Sequence, residues 1–196
     1  MIERCLVPRD KIWQNALNGV EFVVYLSLMN LCYAYDKKVI VTDEMVLYNI
    51  TQNLEDLKNP HKRKLFKGAM QNLGVKGVVN YEELGKGKYL VDCAASFKED
   101  LPRLRYGYVY VKMNNIRKIV REYPDSRQWQ GIVMYYFEVL CHVGKGGGSF
   151  SLKFISEKIG ISELTISKYN GILQRLGLLK IQHMYKSVSR YFIGEE

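Results

Sequence analysis

Ile159-Gly160-Ile161-Ser162-Glu163-Leu164-Thr165-Ile166-Ser167-Lys168, followed shortly by Leu173-Gln174-Arg175-Leu176-Gly177-Leu178, is the stretch that decides the fold. Upstream of it, Leu152, Ile155 and Ile159 keep a 3.6-residue period, which predicts a short helix that Gly160 ends. Ser162 then offers its oxygen to the free first-turn N–H groups of another helix, running to about Leu176, with Glu163 placed against the positive end of its dipole. Ile166, Leu173 and Leu176 take the inward positions, which leaves Thr165, Ser167, Lys168 and Tyr169 outward. Gly177 stops this helix. Residues 178–183 and 187–193 have strand composition and are joined across Tyr185-Lys186, so a hairpin closes the chain.

Working outward, residues 132–141, Ile-Val-Met-Tyr-Tyr-Phe-Glu-Val-Leu-Cys, belong to a long apolar helix capped by Asp125 or Ser126 and running to Val143. Before it come a strand at 107–111, Gly-Tyr-Val-Tyr-Val, and a short helix from Asn114 to Glu122, stopped ahead of Pro124.

The first half of the chain reads the same way. Phe22-Val-Val-Tyr-Leu-Ser-Leu-Met-Asn-Leu-Cys32 matches the run that ends in Leu140-Cys141, and Val39-Ile-Val-Thr42 matches Ser149-Phe-Ser-Leu152. Gln71-Asn-Leu-Gly-Val75 aligns with Gln174-Arg-Leu-Gly-Leu178. The offset is 109 at the cysteines and 103 at the glycines, so the first copy carries about six extra residues, assigned to a polar loop over 53–60. Thr42-Asp43-Glu44 opens one helix of this copy. His61-Lys62-Arg63-Lys64 opens the next, with Phe66, Met70 and Leu73 inward, and a hairpin turns at Leu84-Gly-Lys-Gly87. The boundary is placed around Pro102, giving domains 1–103 and 104–196.

Helix, helix, tight turn, helix, hairpin is the plan of a winged helix-turn-helix. The 159–178 run resembles the "G-hydrophobic-S … T-hydrophobic-S-K … L-x-x-x-G-hydrophobic" pattern of bacterial winged-helix proteins, with Asn170 standing where that family has an apolar residue. The expected fold is therefore mainly α with small β-hairpins (α+β), in two tandem winged helix-turn-helix domains. Two such domains, each led by a strand and a short helix, resemble the DNA-binding parts of plasmid and phage replication initiators, of the Rep and replisome-organiser kinds. Tyr108-Val-Tyr-Val-Lys112-Met-Asn-Asn-Ile-Arg-Lys-Ile119 is similar to the opening of those domains, with Val7-Pro-Arg-Asp-Lys-Ile12 as its counterpart in the first copy. The resemblance implies sequence-specific binding of double-stranded DNA at an origin and recruitment of replication proteins or of a self-partner. A transcriptional regulator of the same fold and a winged-helix protein-interaction scaffold are the rival readings.

Charge points the same way. The 196 residues hold 29 Lys+Arg against 20 Asp+Glu, net +9, which favours a polyanionic partner. Divided at 103/104, the halves carry net +2 and +7. Within the second half, Ser162, Thr165, Ser167, Lys168 and Tyr169 are the candidate reading face, the alternative being a solvated helix with a serine cap. Lys186, Ser187 and Arg190 are the wing candidates, or parts of a structural hairpin, and Lys112 is a phosphate contact or lies in a packing face. In the first half, Lys62, Arg63, Lys64 and Lys67, with Lys86 and Lys88 at the hairpin tip, are either a second DNA contact or a solvated charge run.

The remaining motifs point away from other classes. Cys5, Cys32, Cys93 and Cys141 form no C-x-x-C pair, so neither zinc nor a disulfide framework is expected, and a reducing cytoplasm fits. The N-terminus shows no apolar leader core, and the longest weakly polar run, 14 residues from Phe22, is too short to span a membrane. The Gly144-Lys-Gly-Gly-Gly148 loop lacks the order of a phosphate-binding loop. His61, His142 and His183 are scattered, and 15 tyrosines suggest buried rings with hydroxyls at surfaces rather than a strand-transfer nucleophile. No enzyme and no cofactor are expected.

Overall fold

The structure, a computed structural model, describes residues 4–8, 16–32, 37–97, 107–144, 146–184 and 188–194. It is a mixed α/β chain with small antiparallel sheets. It divides into two compact units, Met1–Ser126 and Arg127–Glu196.

The first unit is built around α1 (Gly19–Leu31), a helix whose residues from Gly19 to Asn30 are all buried. A helix that is apolar on every side belongs at the centre of a core. Asn18 and Glu21 cap each other's backbone at its start, which satisfies two first-turn donors at once. Strand β2 (Lys38–Thr42) leads into α2 (Asp43–Thr51), where the Thr42 hydroxyl accepts from the Met45 N–H at 3.1 Å. A single helical turn, α3 (Leu54–Leu57), then precedes α4 (Pro60–Val75), which is capped by Asn59 and buries Phe66, Ala69, Met70 and Leu73. Strands β3 (Tyr81–Gly85) and β4 (Lys88–Asp92) form the hairpin, and β2 adds to β4, so the sheet order is β2-β4-β3. A short helix, α5 (Cys93–Phe97), follows.

The second unit repeats this order. After α7 (Ser126–His142) come β6 (Gly148–Ser151), α8 (Leu152–Ile159), α9 (Glu163–Arg175), β7 (Leu179–His183) and β8 (Val188–Ile193), with sheet order β6-β8-β7. Ser151 caps α8 as Thr42 caps α2, Gly160 turns left-handed at φ 69°, and Ser162 caps α9.

The equivalence runs residue by residue. The Val78 N–H donates to the Leu73 carbonyl at 2.9 Å, and Leu178 N–H to Leu173 carbonyl at 2.8 Å. Gly77 and Gly177 hold φ of 65° and 70° between them, a conformation that a side chain disfavours. Glu82 pairs with Leu90 where Gln182 pairs with Arg190. The offset through the last helix and hairpin is therefore 100, not the 103 that matched Gly74 to Gly177. Gly74 is a glycine for another reason: a Cβ there would run into the Tyr81 ring. The first copy is accordingly nine residues longer than the second between the Thr42 and Ser151 caps and the Leu73 and Leu173 landmarks, and its polar insertion holds a capped helical turn, α3, rather than a plain loop.

One placement differs from the division at 103/104. Strand β5 (Tyr108–Lys112) pairs antiparallel with β1 (Arg4–Pro8), Leu6 opposite Tyr110, and α6 (Met113–Glu122) packs on α1 and α2. Both therefore belong to the first compact unit. The cause is local: Val109 and Val111 need the cover that Cys5 and Val7 share with them, and Arg117 finds its acceptors on α2. The expected linker around Pro102 lies outside the described residues.

Candidate nucleic-acid interface

In the second unit, α9 stands with Ile166, Ile172 and Leu173 buried, while Leu164, Ser167 and Lys168 face solvent. Leu176, expected inward, ends the helix half-buried. Ser162 Oγ accepts from the Thr165 N–H at 3.2 Å and lies 2.9 Å from Thr165 Oγ1. Both hydroxyls are thus engaged with each other at the cap. Lys168 is exposed, and no carboxylate among the described residues lies within ion-pair distance of it.

Tyr169 does not point outward. Its ring tilts against Tyr135 with centroids 5.9 Å apart, and its hydroxyl lies where a Cβ on Gly131 would stand. The missing side chain at Gly131 gives the tyrosine room to lie across α7, so Tyr169 is a packing residue. The next residue, Asn170, answers for its own departure from an apolar position. It is 8% exposed, its Oδ1 accepts a short hydrogen bond from the Tyr135 hydroxyl, and its Nδ2 donates to the Tyr191 oxygen at 3.4 Å. A buried phenol needs a partner, and a leucine could offer none. Burial and the neighbouring phenol push the Tyr135 hydroxyl's pKa up, and burial does the same for Tyr191, so both stay neutral phenols. Tyr191 in turn stacks on Phe150 at 4.0 Å.

Arg190 is exposed but committed. Its Nη2 donates to the Gly146 carbonyl at 2.8 Å and its guanidinium lies 5.1 Å from the Phe192 ring centre, which ties the glycine loop to β8. Lys186 and Ser187 lie outside the described residues. His142 bonds buried Glu138 at 2.8 Å and packs edge-on against Phe150 and Phe154.

The corresponding face of the first unit is neutralised in part. Lys62 pairs with Asp56 at 2.7 Å, Arg63 with Glu44 at 3.3 Å and Lys67 with Glu83 at 3.9 Å. Lys64, Lys86 and Lys88 are exposed, whereas Lys112 is half-buried at the start of α6. The Asp43 N–H donates to the Gly87 carbonyl at 3.0 Å, and its carboxylate accepts from the Tyr89 hydroxyl at 2.9 Å, fixing the hairpin tip to α2. Burial raises the Asp43 pKa despite that bond.

The charge division also moves with the boundary. Residues 1–126 hold twenty Lys+Arg and fifteen Asp+Glu, and residues 127–196 hold nine and five, so the units carry net +5 and +4. Asymmetry now lies in pairing rather than in net charge: three of the four Lys and Arg side chains on the first unit's α4, Lys62, Arg63 and Lys67, are matched by carboxylates, whereas Lys168 has none within ion-pair distance among the described residues.

No protein-family model, no curated protein and no solved structure matches the chain. Among the described residues no cluster of His, Cys, Asp and Glu could hold a metal ion, and no helix is long and apolar enough to cross a membrane. The cysteines are all buried, and burial pushes the Cys5 thiol up to about 11.

Two features of the interface escaped the sequence reading. Leu164 is 82% exposed, yet a leucine in a helix's first turn carries no signal of its own. The Tyr135–Asn170–Tyr191 cluster joins residues of three different elements, and only the polar residue at an apolar position hinted at it.

Proposed function

We propose that the chain is a double-stranded DNA-binding protein built from tandem winged helix-turn-helix units, with α9 as the reading helix of the second. The observation that carries this reading is the outward face of α9, where Lys168 stands exposed and unneutralised beside Ser167 on a helix whose other side is locked into the core. A helix held this way and flanked by a hairpin suits insertion into a major groove, with its N-terminal residues at the base edges. The matching strand–helix–helix–hairpin order of the first unit supports the tandem reading.

Within that reading, the protein acts as a replication initiator of the plasmid or phage kind, by binding and recruitment and without catalysis. A transcriptional regulator is the rival, and chemistry at the interface is the same for both. Selection of bound fragments from the source genome separates them: directly repeated sites at an origin support initiation, whereas a promoter supports regulation. Titration at two salt concentrations tests DNA binding itself, because phosphate contacts make affinity fall steeply with salt.

For the first unit a protein-docking role has its own support. Lys62, Arg63 and Lys67 on its α4 already hold carboxylate partners, so a phosphate strand would have to break those pairs to bind them.

A further inference from the structure

Two residues on the outward face of α9 are not explained by the fold. Leu164, 82% exposed, projects a large apolar side chain from the first turn of the helix proposed to meet DNA. Gly171 lies seven residues on, two turns along and at nearly the same angle around the helix. A Cβ at Gly171 would meet nothing nearer than Arg175 Nη1 at 3.9 Å, an ordinary contact. Packing therefore does not require the glycine, although it weakens the helix relative to alanine. Between the two stand Ser167 and Lys168, both exposed. The face thus runs from an apolar knob, through a hydroxyl and an ammonium, to bare backbone.

That sequence of groups fits one ligand chemistry. On the major-groove edge of a base pair, the thymine C5-methyl is the apolar group; the rest of the edge is hydrogen-bond donors and acceptors. Bare helix backbone, in turn, permits close approach of a bulky neighbour, here a sugar-phosphate strand. We propose that Leu164 reads the C5-methyl of a thymine in the bound duplex, and that Gly171 is kept bare so that the flanking strand can come against the helix. The inference rests on the DNA-binding reading of α9 and adds to it the base that the helix selects and the residue that selects it.

The test uses the full chain and a random-sequence duplex pool, from which the tightest-bound site is selected. Its thymines are then replaced one at a time by deoxyuridine, which removes only the methyl group. The wild type is expected to lose about fourfold in affinity at one thymine, the worth of burying one methyl-sized group. Leu164→Ala should bind thymine and deoxyuridine duplexes equally, whereas Lys168→Ala should keep the discrimination while binding both more weakly. Gly171→Ala should melt at a higher temperature yet bind the selected duplex several-fold more weakly. If a selected site exists but no deoxyuridine swap changes affinity, or if Leu164→Ala still discriminates, the thymine assignment is overturned while DNA binding stands. Unchanged affinity in Gly171→Ala overturns the close approach. If the wild type binds no duplex at either of two salt concentrations, the DNA-binding reading and the inference fall together.

Discussion

Arg117 grips Asn49 twice: its Nε donates to the Asn49 carbonyl at 2.8 Å, and its Nη2 donates to the Asn49 side-chain oxygen. Asn49 passes the connection on, its Nδ2 donating to Ser27 Oγ at 2.9 Å, so α6, α2 and α1 share one buried polar network. Arg117 is 5% exposed, and a guanidinium at that depth is held only where its donors are satisfied. Replacing it by methionine leaves Asn49 without its partner. The expected cost is about 3 kcal/mol of stability, read as a lower denaturant midpoint at unchanged slope.

The same network locates the unit boundary. A fragment of residues 1–103 loses the strand that pairs with β1 and the helix that covers α2, whereas residues 1–126 keep both. The longer fragment should unfold cooperatively at a clearly higher urea concentration. Equal midpoints for the two fragments would mean that β5 and α6 contribute nothing to the first unit.

How much of this was legible beforehand depends on the range of the interaction. Caps and stops are local, and Thr42, Gly160 and Ser162 sit in the roles that their sequence neighbourhoods specify. The inward set Phe66, Met70 and Leu73 also follows from periodicity alone. What sequence does not carry is partnership across distance. The outward placing of Tyr169 failed because Gly131, 38 residues earlier, opens a space on α7. Likewise β5 reads as the start of the second half, and only its pairing with β1 assigns it to the first. The Lys62, Arg63 and Lys67 run looks like a free basic patch until Asp56, Glu44 and Glu83 fold onto it.

Gly131 gives a direct test of the Tyr169 correction. Gly131→Ala puts a methyl group into the Tyr169 hydroxyl and should destabilise the second unit by about 1–3 kcal/mol, despite alanine's better helix propensity. Combining it with Tyr169→Ala should recover part of that loss, since the clash then disappears. A merely additive double variant would show that the two residues do not meet.

Glu21 predicts a specific acid sensitivity. It is 2% exposed; burial pushes its pKa up, but the Lys76 ammonium at 2.6 Å, the Asn18 N–H and the Asn72 amide outweigh that, and the net shift is downward. A carboxyl whose folded pKa is lowered stabilises the fold fully above its unfolded value, about 4.3, and loses that contribution as pH falls through the folded value. Glu21→Gln should therefore cost about 1.5–3 kcal/mol at neutral pH, and the gap to the wild type should close below about pH 4. A gap that stays constant down to pH 3 would show that the charge at Glu21 does not matter.

The contrast between paired and free cations sets the last expectation. Each lysine that neutralises a phosphate adds roughly one counterion to those released on binding, so removing it lowers the slope of log affinity against log salt by about one. Lys168 has no competing carboxylate among the described residues, so Lys168→Ala should reduce both affinity and salt slope. Lys67 must first leave Glu83 and Lys62 must leave Asp56, whose bond is short and half-shielded from water. Lys62→Ala and Lys67→Ala should therefore leave the slope nearly unchanged. Reversing the pairing sharpens the test: Glu83→Gln frees Lys67, and if the first unit lies along the duplex, affinity should rise and the slope should steepen. If Glu83→Gln changes neither while Lys168→Ala lowers both, DNA is read by the second unit, and the first is left for a protein partner. If Lys62→Ala lowers the slope as much as Lys168→Ala does, the ion pairs open on binding and both units touch the phosphate backbone.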